Sequence, residues 1–559
     1  MVYRMESEYE KLASLLFPEI SETIEDLEKR FVKRNLDENA MVTRFAPSPT
    51  GYMHIGGLYA ALISSKFSSQ TNGIFYLRIE DTDKKRELLD GVEEIISALR
   101  EYDIHFAEGP FEGGEKLYGP YKQSERKEIY QICVKELIKK GMAYPCFCTT
   151  EMLEETRKIQ QERKEDIGYY GKYAVCSRLS LEEIQSYIEE GKEYVIRLKS
   201  PGNPLSRIKY EDEVRGIIEM PENIQDIVLL KTDGIPTYHF AHVVDDHFMR
   251  TTLIIRGDEW LASYPLHKQL FEVCGFQAPN YLHIAPIMKM DQGSKRKLSK
   301  RKDPEAAVSY YKKQGIPKEA VKEYLMTITN SNYEEWREKN PQKNLQEFQL
   351  TTAKMSNSGA LFDMEKLMNI SRNIIASKTV EECYDEIVQW SQLWDNQIYQ
   401  KAVLSKNNFI KTIELWKFSG GKVRKDIGKW SELSEQYSYL YCDFLTNNCV
   451  YEFDAAWKAD DILQVLGEYK TDLFLEGTAS EWFAKIKDKA DLLGYCTKLK
   501  EYKENPNLYC GSITDFCNII RVAVTGKRNS PDLFSILQIL GEEEARKRLE
   551  KAICYLISL

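Results

Sequence analysis

The chain has 559 residues, of which 43% are hydrophobic and 29% charged, and its net charge is −10 at pH 7. This length accommodates several domains with their own cores, and the composition is that of a soluble globular protein. No apolar run approaches the ~18 residues of a membrane span. The net negative charge argues against a protein whose whole surface binds nucleic acid, although a local basic track would still bind RNA.

The first residues and the cysteines both indicate the cytoplasm. Glu6, Glu8 and Glu10 stand where a signal peptide would be basic and then apolar. The twelve cysteines are irregularly spaced, which favours reduced thiols over a disulfide framework. We therefore expect a cytoplasmic protein without a membrane partner.

The N-terminal segment, residues 1–40, is predicted to be a helical extension packed on the domain that follows. Residues 6–35 show helical periodicity: Ile20, Ile24, Leu27 and Phe31 recur behind Pro18 with charges between them. A helix that binds a partner protein is the alternative interpretation.

From residue 41 the pattern predicts a strand, a stiff loop and a helix. The run Met41–Phe45 favours a strand, Pro47 and Pro49 keep the loop extended, and a helix is expected from about Leu58 to Phe67. Glycines in this loop let a ligand approach the backbone, and the free N–H groups of the helix start favour an anion. The loop therefore predicts a phosphate site, with an ordinary α/β turn as the alternative.

His54 lies at the entrance of that helix. Its imidazole can donate a hydrogen bond to a phosphate or ribose oxygen, or it can cap its own helix.

A second strand is expected over Ile74–Ile79, ending in Glu80-Asp81-Thr82-Asp83 and followed by a helix. Strand, helix and strand form a βαβ unit, whose ligand crevice lies at the carboxyl ends of the strands, near Arg44 and Glu80. No GxGxxG or P-loop spacing is present. As an alternative, Arg78, Glu80, Asp81 and Asp83 would form a surface ion-pair cluster.

Residues 124–225 interrupt this alternation with charged helices and contain Cys146-Phe147-Cys148. The alternation resumes with Ile227–Leu230. One interpretation of the next segment is a metal site, because it contains five side chains of the kind that bind metals, namely His239, His242, Asp245, Asp246 and His247.

A basic segment, Gly293–Lys302, contains Lys297-Leu298-Ser299-Lys300-Arg301. By itself such a run is typical of a solvated turn. Beyond it the chain has helical periodicity to its end, with few strand runs.

Several ordered motifs resemble the class I aminoacyl-tRNA synthetases. His54-Ile55-Gly56-Gly57 resembles the HIGH signature, and Lys297–Arg301 resembles the KMSKS signature. The segments that resemble the bacterial-type glutamyl-tRNA synthetase family specifically are Arg44–Gly51, Leu77–Asp83, Pro120–Arg126 and Ile255–Trp260. Gly57 stands where many members of the class have a second histidine.

The resemblance implies an α/β fold: a Rossmann-like parallel-sheet catalytic domain with an α+β connective insertion, followed by an all-α anticodon-binding region. The expected segments are 1–40 (N-terminal extension), 41–123 (first catalytic half), 124–225 (insertion contacting the tRNA acceptor end), 226–305 (second catalytic half), 306–375 (helical connector) and 376–559 (anticodon-binding domain). Arg521, Lys527 and Arg528 are candidate RNA contacts in the last of these.

The resemblance also implies the site residues. His54, Lys297 and Lys300 are expected to be catalytic. ATP, with Mg²⁺, is expected to contact Ala46, Ser48, Thr50, His54, Gly56, Gly57 and Lys300, partly through the N–H groups near Gly56 and Gly57. Glutamate is expected to contact Arg44, Glu80, Tyr238, His242 and Arg256, with the Arg44 guanidinium on its side chain, because an arginine binds a carboxylate through two parallel bonds. Position 242 carries asparagine in some relatives.

Cys146, Cys148 and Cys176 resemble the zinc-bearing form of the insertion, since three thiolates make most of a tetrahedral site. Position 178 is Arg178 where a fourth ligand would be expected, and Tyr173 would be an unusual substitute. The alternative is three thiols without metal.

The implied reaction is the ATP-dependent ligation of L-glutamate to tRNA(Glu) through a glutamyl-adenylate, by a monomer that is also a candidate for charging tRNA(Gln). The alternatives are a glutaminyl-tRNA synthetase and a non-catalytic RNA-binding protein with a degenerate nucleotide pocket. The all-helical C-terminal third favours glutamate, because glutaminyl enzymes end in β-barrels.

Overall fold

The computed structural model describes residues 2–49, 51–82, 91–114, 116–419, 421–445 and 450–558. These form two compact units. The first comprises Met1–Ser309 and Leu325–Phe362, and the second comprises Tyr310–Tyr324 and Asp363–Leu559. In the described part of the chain, no helix combines the length and apolar character needed to cross a bilayer.

The helices up to residue 339 are α1 (Val2–Leu16), α2 (Ile24–Arg30), α3 (Ile55–Gln70), α4 (Gly91–Glu101), α5 (Lys127–Lys139), α6 (Thr150–Arg163), α7 (Leu181–Glu189), α8 (Tyr238–Phe248), α9 (Tyr264–Cys274), α10 (Val308–Gln314), α11 (Lys318–Thr329) and α12 (Tyr333–Lys339). Those that follow are α13 (Met364–Ser377), α14 (Val380–Trp394), α15 (Asn396–Leu404), α16 (Lys406–Lys417), α17 (Glu432–Gln436), α18 (Ser438–Tyr441), α19 (Ala459–Thr471), α20 (Ala479–Leu492), α21 (Leu499–Glu504), α22 (Ile513–Thr525) and α23 (Leu533–Ser558).

The strands of the first unit are β1 (Val42–Phe45), β2 (Ile74–Leu77), β3 (Ala143–Cys146), β4 (Val195–Leu198), β5 (Arg207–Asp212), β6 (Gly216–Pro221), β7 (Val228–Leu230), β8 (Leu253–Gly257), β9 (Asn280–Ile284), β10 (Met288–Asp291) and β11 (Ser294–Lys297). The second unit has two-residue strands, namely β12 (Phe418–Ser419), β13 (Lys422–Val423), β14 (Tyr495–Cys496) and β15 (Gly511–Ser512).

Two parallel strand pairs position the site. Strand β1 pairs with β2, and β8 pairs with β9, both in parallel register. The Thr252 amide donates to the Val42 carbonyl at 3.0 Å and so ties the start of β8 to β1. The carboxyl ends of these strands carry Arg44, Arg256 and His283, and Arg78 follows β2 directly. Side chains at the carboxyl ends of parallel strands share one crevice, which is where such folds bind ligands.

The insertion after β2 is built differently. Strands β3 and β4 pair antiparallel, α6 and α7 lie between them in the sequence, and β5 and β6 form a hairpin. Strand β7, which lies just beyond residue 225, also pairs antiparallel with β4. The predicted α+β character of this segment is therefore correct.

The N-terminal segment differs from the predicted periodicity over 6–35. It forms two helices, α1 and α2, with residues 17–23 between them. Pro18 lacks a backbone donor, and Thr23 starts α2 with a capping box closed by Asp26. The Lys135 ammonium on α5 donates to the Phe17 carbonyl at 2.8 Å and so fixes this junction against the catalytic domain.

The second unit is helical around one apolar core. Capping boxes start several of its helices, because Ser or Thr at the N-cap and an acidic residue three positions later satisfy free N–H groups. These pairs are Thr379/Glu382, Thr478/Glu481 and Ser512/Asp515. The core is rich in aromatic residues, including the buried Trp416, Trp430 and Tyr441.

Candidate active site

His54 is the N-cap of α3. Its Nδ1 accepts a hydrogen bond from the Gly56 amide at 2.9 Å, so Nδ1 carries no proton and the Nε2–H remains a donor. Burial lowers the pKa of His54, and the nearby Lys300 ammonium lowers it further. The capping alternative is therefore correct, and the ring is neutral, with its remaining N–H hydrogen-bonded to the Leu298 backbone, which opposes the lowering of the pKa.

The helix begins earlier than predicted, at Ile55, because this cap forms at His54. The amides of Gly56 and Gly57 donate to Nδ1 and to the carbonyl of His54 respectively, so neither is free. This corrects the expectation that these N–H groups face a phosphate. The absence of a side chain at Gly57 leaves room for Met53, because a Cβ at position 57 would lie 3.0 Å from the Met53 sulfur.

The loop between β1 and α3 contains the remaining expected ATP contacts, Ala46 and Ser48, whereas Thr50 lies outside the described residues. The Glu80 amide donates to the Pro47 carbonyl at 3.0 Å. Gly51 has φ +148°, a conformation that favours glycine. The loop is therefore held to the segment that follows β2.

The basic segment near residue 300 contacts this loop. Four of its ten residues form β11, which pairs with β10 in a hairpin, and Leu298, the residue after β11, is buried. The Lys300 ammonium then donates to the Tyr52 carbonyl. The Val308 amide donates to the Met53 carbonyl at 3.0 Å. The two signature segments, some 250 residues apart, thus lie against each other.

Internal ion pairs shape the basic turn. Arg296 donates to Asp303 at 2.6 Å, and this bond lowers the pKa of the Asp303 carboxyl. The Asp303 carboxylate also accepts from the Ser299 amide at 2.9 Å, which closes the turn. Lys297 is half exposed and lies 3.0 Å from Glu259.

Two arginines share one buried aspartate, Asp246. The Asp246 Oδ1 atom accepts from Arg44 Nε at 3.2 Å and from Arg78 Nη1 at 2.8 Å. Burial disfavours the Asp246 charge, but Arg44 and Arg78 together hold its pKa well below the usual range. Arg44 also donates to the Ile255 carbonyl at 3.2 Å, which links β1 to β8.

Glu80 belongs to the same cluster. Arg78 donates to it at 3.1 Å, and Arg78 itself is fully buried. Burial raises the pKa of Glu80, against the effect of the two arginines. Asp81 is also buried and accepts from the Ser124 amide at 2.8 Å. The surface ion-pair alternative is therefore wrong for these residues, while Asp83 lies outside the described residues.

Arg256 has different partners. Its Nε donates to His283 Nε2 at 2.9 Å, and its Nη1 lies 2.9 Å from His267 Nδ1. The guanidinium also lies over the Tyr281 ring, 4.8 Å from its centroid.

Tyr238 begins α8 and lines the crevice with Trp260, at a ring-centroid distance of 4.3 Å. Burial raises the pKa of Tyr238 to about 12, so its hydroxyl keeps its proton. One turn further, His242 Nε2 lies 3.0 Å from the Tyr281 hydroxyl and Nδ1 lies 2.9 Å from Asp246 Oδ2. Burial lowers the pKa of His242 to about 3, so this ring is neutral.

The polar residues of α8 do not form the metal cluster considered as an alternative. Asp245 pairs with Arg126 at 2.6 Å, and His247 pairs with Glu28 at 2.7 Å, in different directions from the Asp246 group. Within the described ranges, the one group of three or more metal-ligating side chains is Cys146, Cys148 and Cys176.

The three cysteine sulfurs lie within 4.8 Å of one another. The nearest tyrosine is Tyr169, whose hydroxyl oxygen lies 3.5 Å from Cys146 Sγ and 3.3 Å from Cys148 Sγ. Tyr173 instead donates to Glu165 at 2.8 Å, which corrects the suggestion that it completes the group.

The candidate RNA contacts of the second unit bind their own chain. Arg521 donates to the Pro531 carbonyl at 2.6 Å, Lys527 donates to the Glu435 carbonyl at 2.8 Å, and Arg528 lies 2.7 Å from Asp454. Their contact with RNA stays a prediction.

The two parallel strand pairs, with buried arginines near their carboxyl ends and two signature segments in contact, define a class I aminoacyl-tRNA synthetase. A family model for the catalytic domain of class I tRNA synthetases (E and Q) matches residues 40–369, and an anticodon binding domain model matches residues 498–553.

Relatives that match over nearly the whole chain identify the family within this class. The chain is 46% identical over 548 residues to a glutamate–tRNA ligase of Clostridium beijerinckii, with 97% of this chain and 99% of the relative covered. It is 45% identical to that of Acetivibrio thermocellus, with 98% and 100% covered. A crystal structure of a glutamate tRNA ligase from Elizabethkingia meningosepticum, in complex with its amino acid, matches with a TM-score of 0.73 and 28% identity over 92% of this chain and 99% of that one. The chain belongs to the glutamate–tRNA ligase family.

The predicted family, its enzyme class and the α/β fold with a helical C-terminal region are thus confirmed. Members of this family use ATP with Mg²⁺. The pairing of Asp246 with two arginines was not predicted from the sequence, and neither were the contacts of His267 and His283 with Arg256. The adjacent Asp245 and Asp246 were the available signal, but their arginine partners are more than 100 residues away.

Proposed function

We propose that the chain ligates L-glutamate to tRNA(Glu) in two steps within this crevice. The glutamate α-carboxylate attacks the α-phosphorus of ATP, giving glutamyl-adenylate and pyrophosphate, and the terminal adenosine hydroxyl of the tRNA then displaces AMP. The observation that carries the proposal is the contact of Lys300 with the His54 loop, which follows the strand that carries the buried Arg44. Neither step needs a protein nucleophile, so positioning and charge stabilisation supply the catalysis.

The nucleotide would lie between the two signature segments. The His54 Nε2–H would donate to ATP in place of the Leu298 backbone, Ala46 and Ser48 would border it, and Gly56 and Gly57 would let it approach the helix start. Lys300 would follow the charge that develops on the leaving pyrophosphate, and Lys297 would assist. Bound Mg²⁺ would neutralise charge on the phosphate oxygens.

The amino acid would lie at the strand ends below. Arg44 and Arg256 are the candidate carboxylate ligands, Glu80 would face the ammonium group, and Tyr238 and His242 would form the wall. The substrate glutamate carries two carboxylates and one ammonium group, which are complementary in charge to Arg44, Arg256 and Glu80. Charged partners on the ligand would offset the cost of burying these groups.

The decisive experiment is charging of purified tRNA isoacceptors with glutamate and with glutamine in separate reactions. We expect glutamate to be attached to tRNA(Glu), and charging of tRNA(Gln) would show relaxed tRNA specificity. Every assay contains tRNA, because the resemblance implies that activation needs it. Preference for glutamine would favour a glutaminyl enzyme, and no charging of any tRNA would favour a non-catalytic RNA-binding protein.

The cytoplasmic location, the monomeric state and the segment boundaries also stay predictions.

We also propose a structural zinc ion at Cys146, Cys148 and Cys176. Three thiolates suit zinc, and the Tyr169 hydroxyl provides a fourth donor beside them. The ion would fix the start of the insertion by joining β3 to residues 169–176.

Purified protein is expected to contain about one zinc ion per chain, because a closed structural site retains its metal through dialysis. Cys148→Ser should lose it, as measured by plasma mass spectrometry. Cys510→Ser is the matched control, since Cys510 is exposed and lies in the other unit. Parent protein without zinc would establish the alternative of three free thiols.

A further inference from the structure

Arg256 is a buried arginine whose contacts are all neutral. It is 6% exposed and it bonds His283, His267 and the carbonyl of Trp260. Within the described ranges, no carboxylate forms an ion pair with it. The other buried arginines of the site are paired: Arg44 and Arg78 with Asp246, and Arg126 with Asp245.

The histidine tautomers follow from this arrangement. Arginine only donates, so His283 Nε2 and His267 Nδ1 must both be acceptors without a proton. The other nitrogens then carry the hydrogens. His283 Nδ1 donates to Asp212 at 2.7 Å, and His267 Nε2 donates to His239 Nδ1 at 2.9 Å.

The backbone register supports the same geometry. Arg256 on β8 is directly opposite His283 on β9 in the parallel ladder. Asp212 accepts from both the His283 ring and the His283 backbone amide at 3.0 Å, which fixes the ring from behind. His267 is fully buried on α9, with its ring centroid 4.5 Å from that of His242.

We propose that His267 and His283 are positioning residues that hold Arg256 through neutral acceptors, so that its charge is left for a carboxylate of the amino-acid substrate. This inference rests on the proposed function. An aspartate or glutamate in place of either histidine would hold the guanidinium equally well, but its negative charge would neutralise the positive charge that attracts the substrate carboxylate.

The electrostatics of the rings agree with this role. Burial lowers the pKa of His267 well below its usual value, and His242 and Arg256 lower it further. Burial also lowers the pKa of His283, against the effect of its hydrogen bond to Asp212. Both rings therefore stay acceptors at neutral pH.

The test is a series at position 267, with the glutamate KM measured in aminoacylation at saturating ATP and tRNA. His267→Asp is expected to raise the glutamate KM about 10- to 100-fold, the range of a charge-assisted hydrogen bond, with the ATP KM within about twofold of the parent. His267→Gln keeps an acceptor and should stay near the parent. His267→Leu removes it and should raise the glutamate KM alone.

His247→Gln is the matched control, because His247 is a largely buried histidine paired with Glu28 outside the crevice. Thermal unfolding is recorded for each variant, and if His267→Asp does not fold, the Gln and Leu pair decides. An unchanged glutamate KM in folded His267→Asp, or equal values for Gln and Leu, would overturn the inference while the parent still charges tRNA. A parent that charges no tRNA would instead overturn the proposed function, and this inference with it.

Discussion

Replacing Lys300 by alanine is expected to slow the formation of glutamyl-adenylate by about 100- to 1,000-fold, the usual effect of removing one donor that stabilises transition-state charge. The Lys300 ammonium donates to the Tyr52 carbonyl, and burial lowers its pKa. A phosphate oxygen would be a stronger acceptor than this carbonyl, because it is charged. The bond to ATP would therefore replace the bond to Tyr52 as charge develops on pyrophosphate.

The measurement is ATP–pyrophosphate exchange in the presence of tRNA, with the glutamate KM recorded in parallel. The glutamate KM should change little, since the amino acid lies at the strand ends. Lys295→Ala is the control, because Lys295 is exposed in the same basic segment but pairs with Met290 in the hairpin. Equal exchange rates for Lys300→Ala and the parent would remove Lys300 from catalysis.

The local parts of this fold could be predicted from the sequence. The strand, proline loop and helix after residue 41 and the second strand at Ile74 depend on periodicity, proline and glycine, which act over a few residues. The errors were at the boundaries. Helix α3 begins at Ile55 because a histidine supplies the cap, and histidine is not among the usual capping residues. Pro18 and Thr23 split the N-terminal helix where the apolar pattern alone would continue it.

The residues of the site were partly predictable, but their partners were not. Arg44, Arg256 and Glu80 could be placed at strand ends from the resemblance. Nothing local indicates that Arg44 shares an aspartate 202 residues away, or that Arg256 bonds two histidines rather than a carboxylate. Such pairings are fixed by how the two strand pairs and α8 pack together. The same holds for Tyr169, which lies beside Cys146 only after the insertion has folded.

Substitutions of the two arginines that bind Asp246 are expected to have different effects, one on stability and the other on glutamate binding. Arg78→Met should lower the free energy of unfolding of the catalytic unit by about 3–5 kcal/mol, because it removes one partner of a buried ion cluster. Arg78 is fully buried, and its loss removes the ion pair that it forms with Glu80. Arg44→Met should cost less stability, since Asp246 keeps Arg78 at 2.8 Å. It should instead raise the glutamate KM.

The pH dependence of Arg78→Met tests the electrostatic origin of its defect. In the parent, Arg44 and Arg78 hold the pKa of Asp246 well below its unfolded value, so this stabilisation is present above that value and is lost as pH falls through the folded pKa. In the variant, Glu80 and Asp246 take up protons more readily, because a positive neighbour is gone. The stability gap between parent and variant should therefore narrow from pH 8 to pH 5, as measured by urea denaturation with tryptophan fluorescence. A difference in stability that is constant with pH would mean that Arg78 acts through packing alone.

For the other substitution, an unchanged glutamate KM in folded Arg44→Met would remove that side chain from the substrate site.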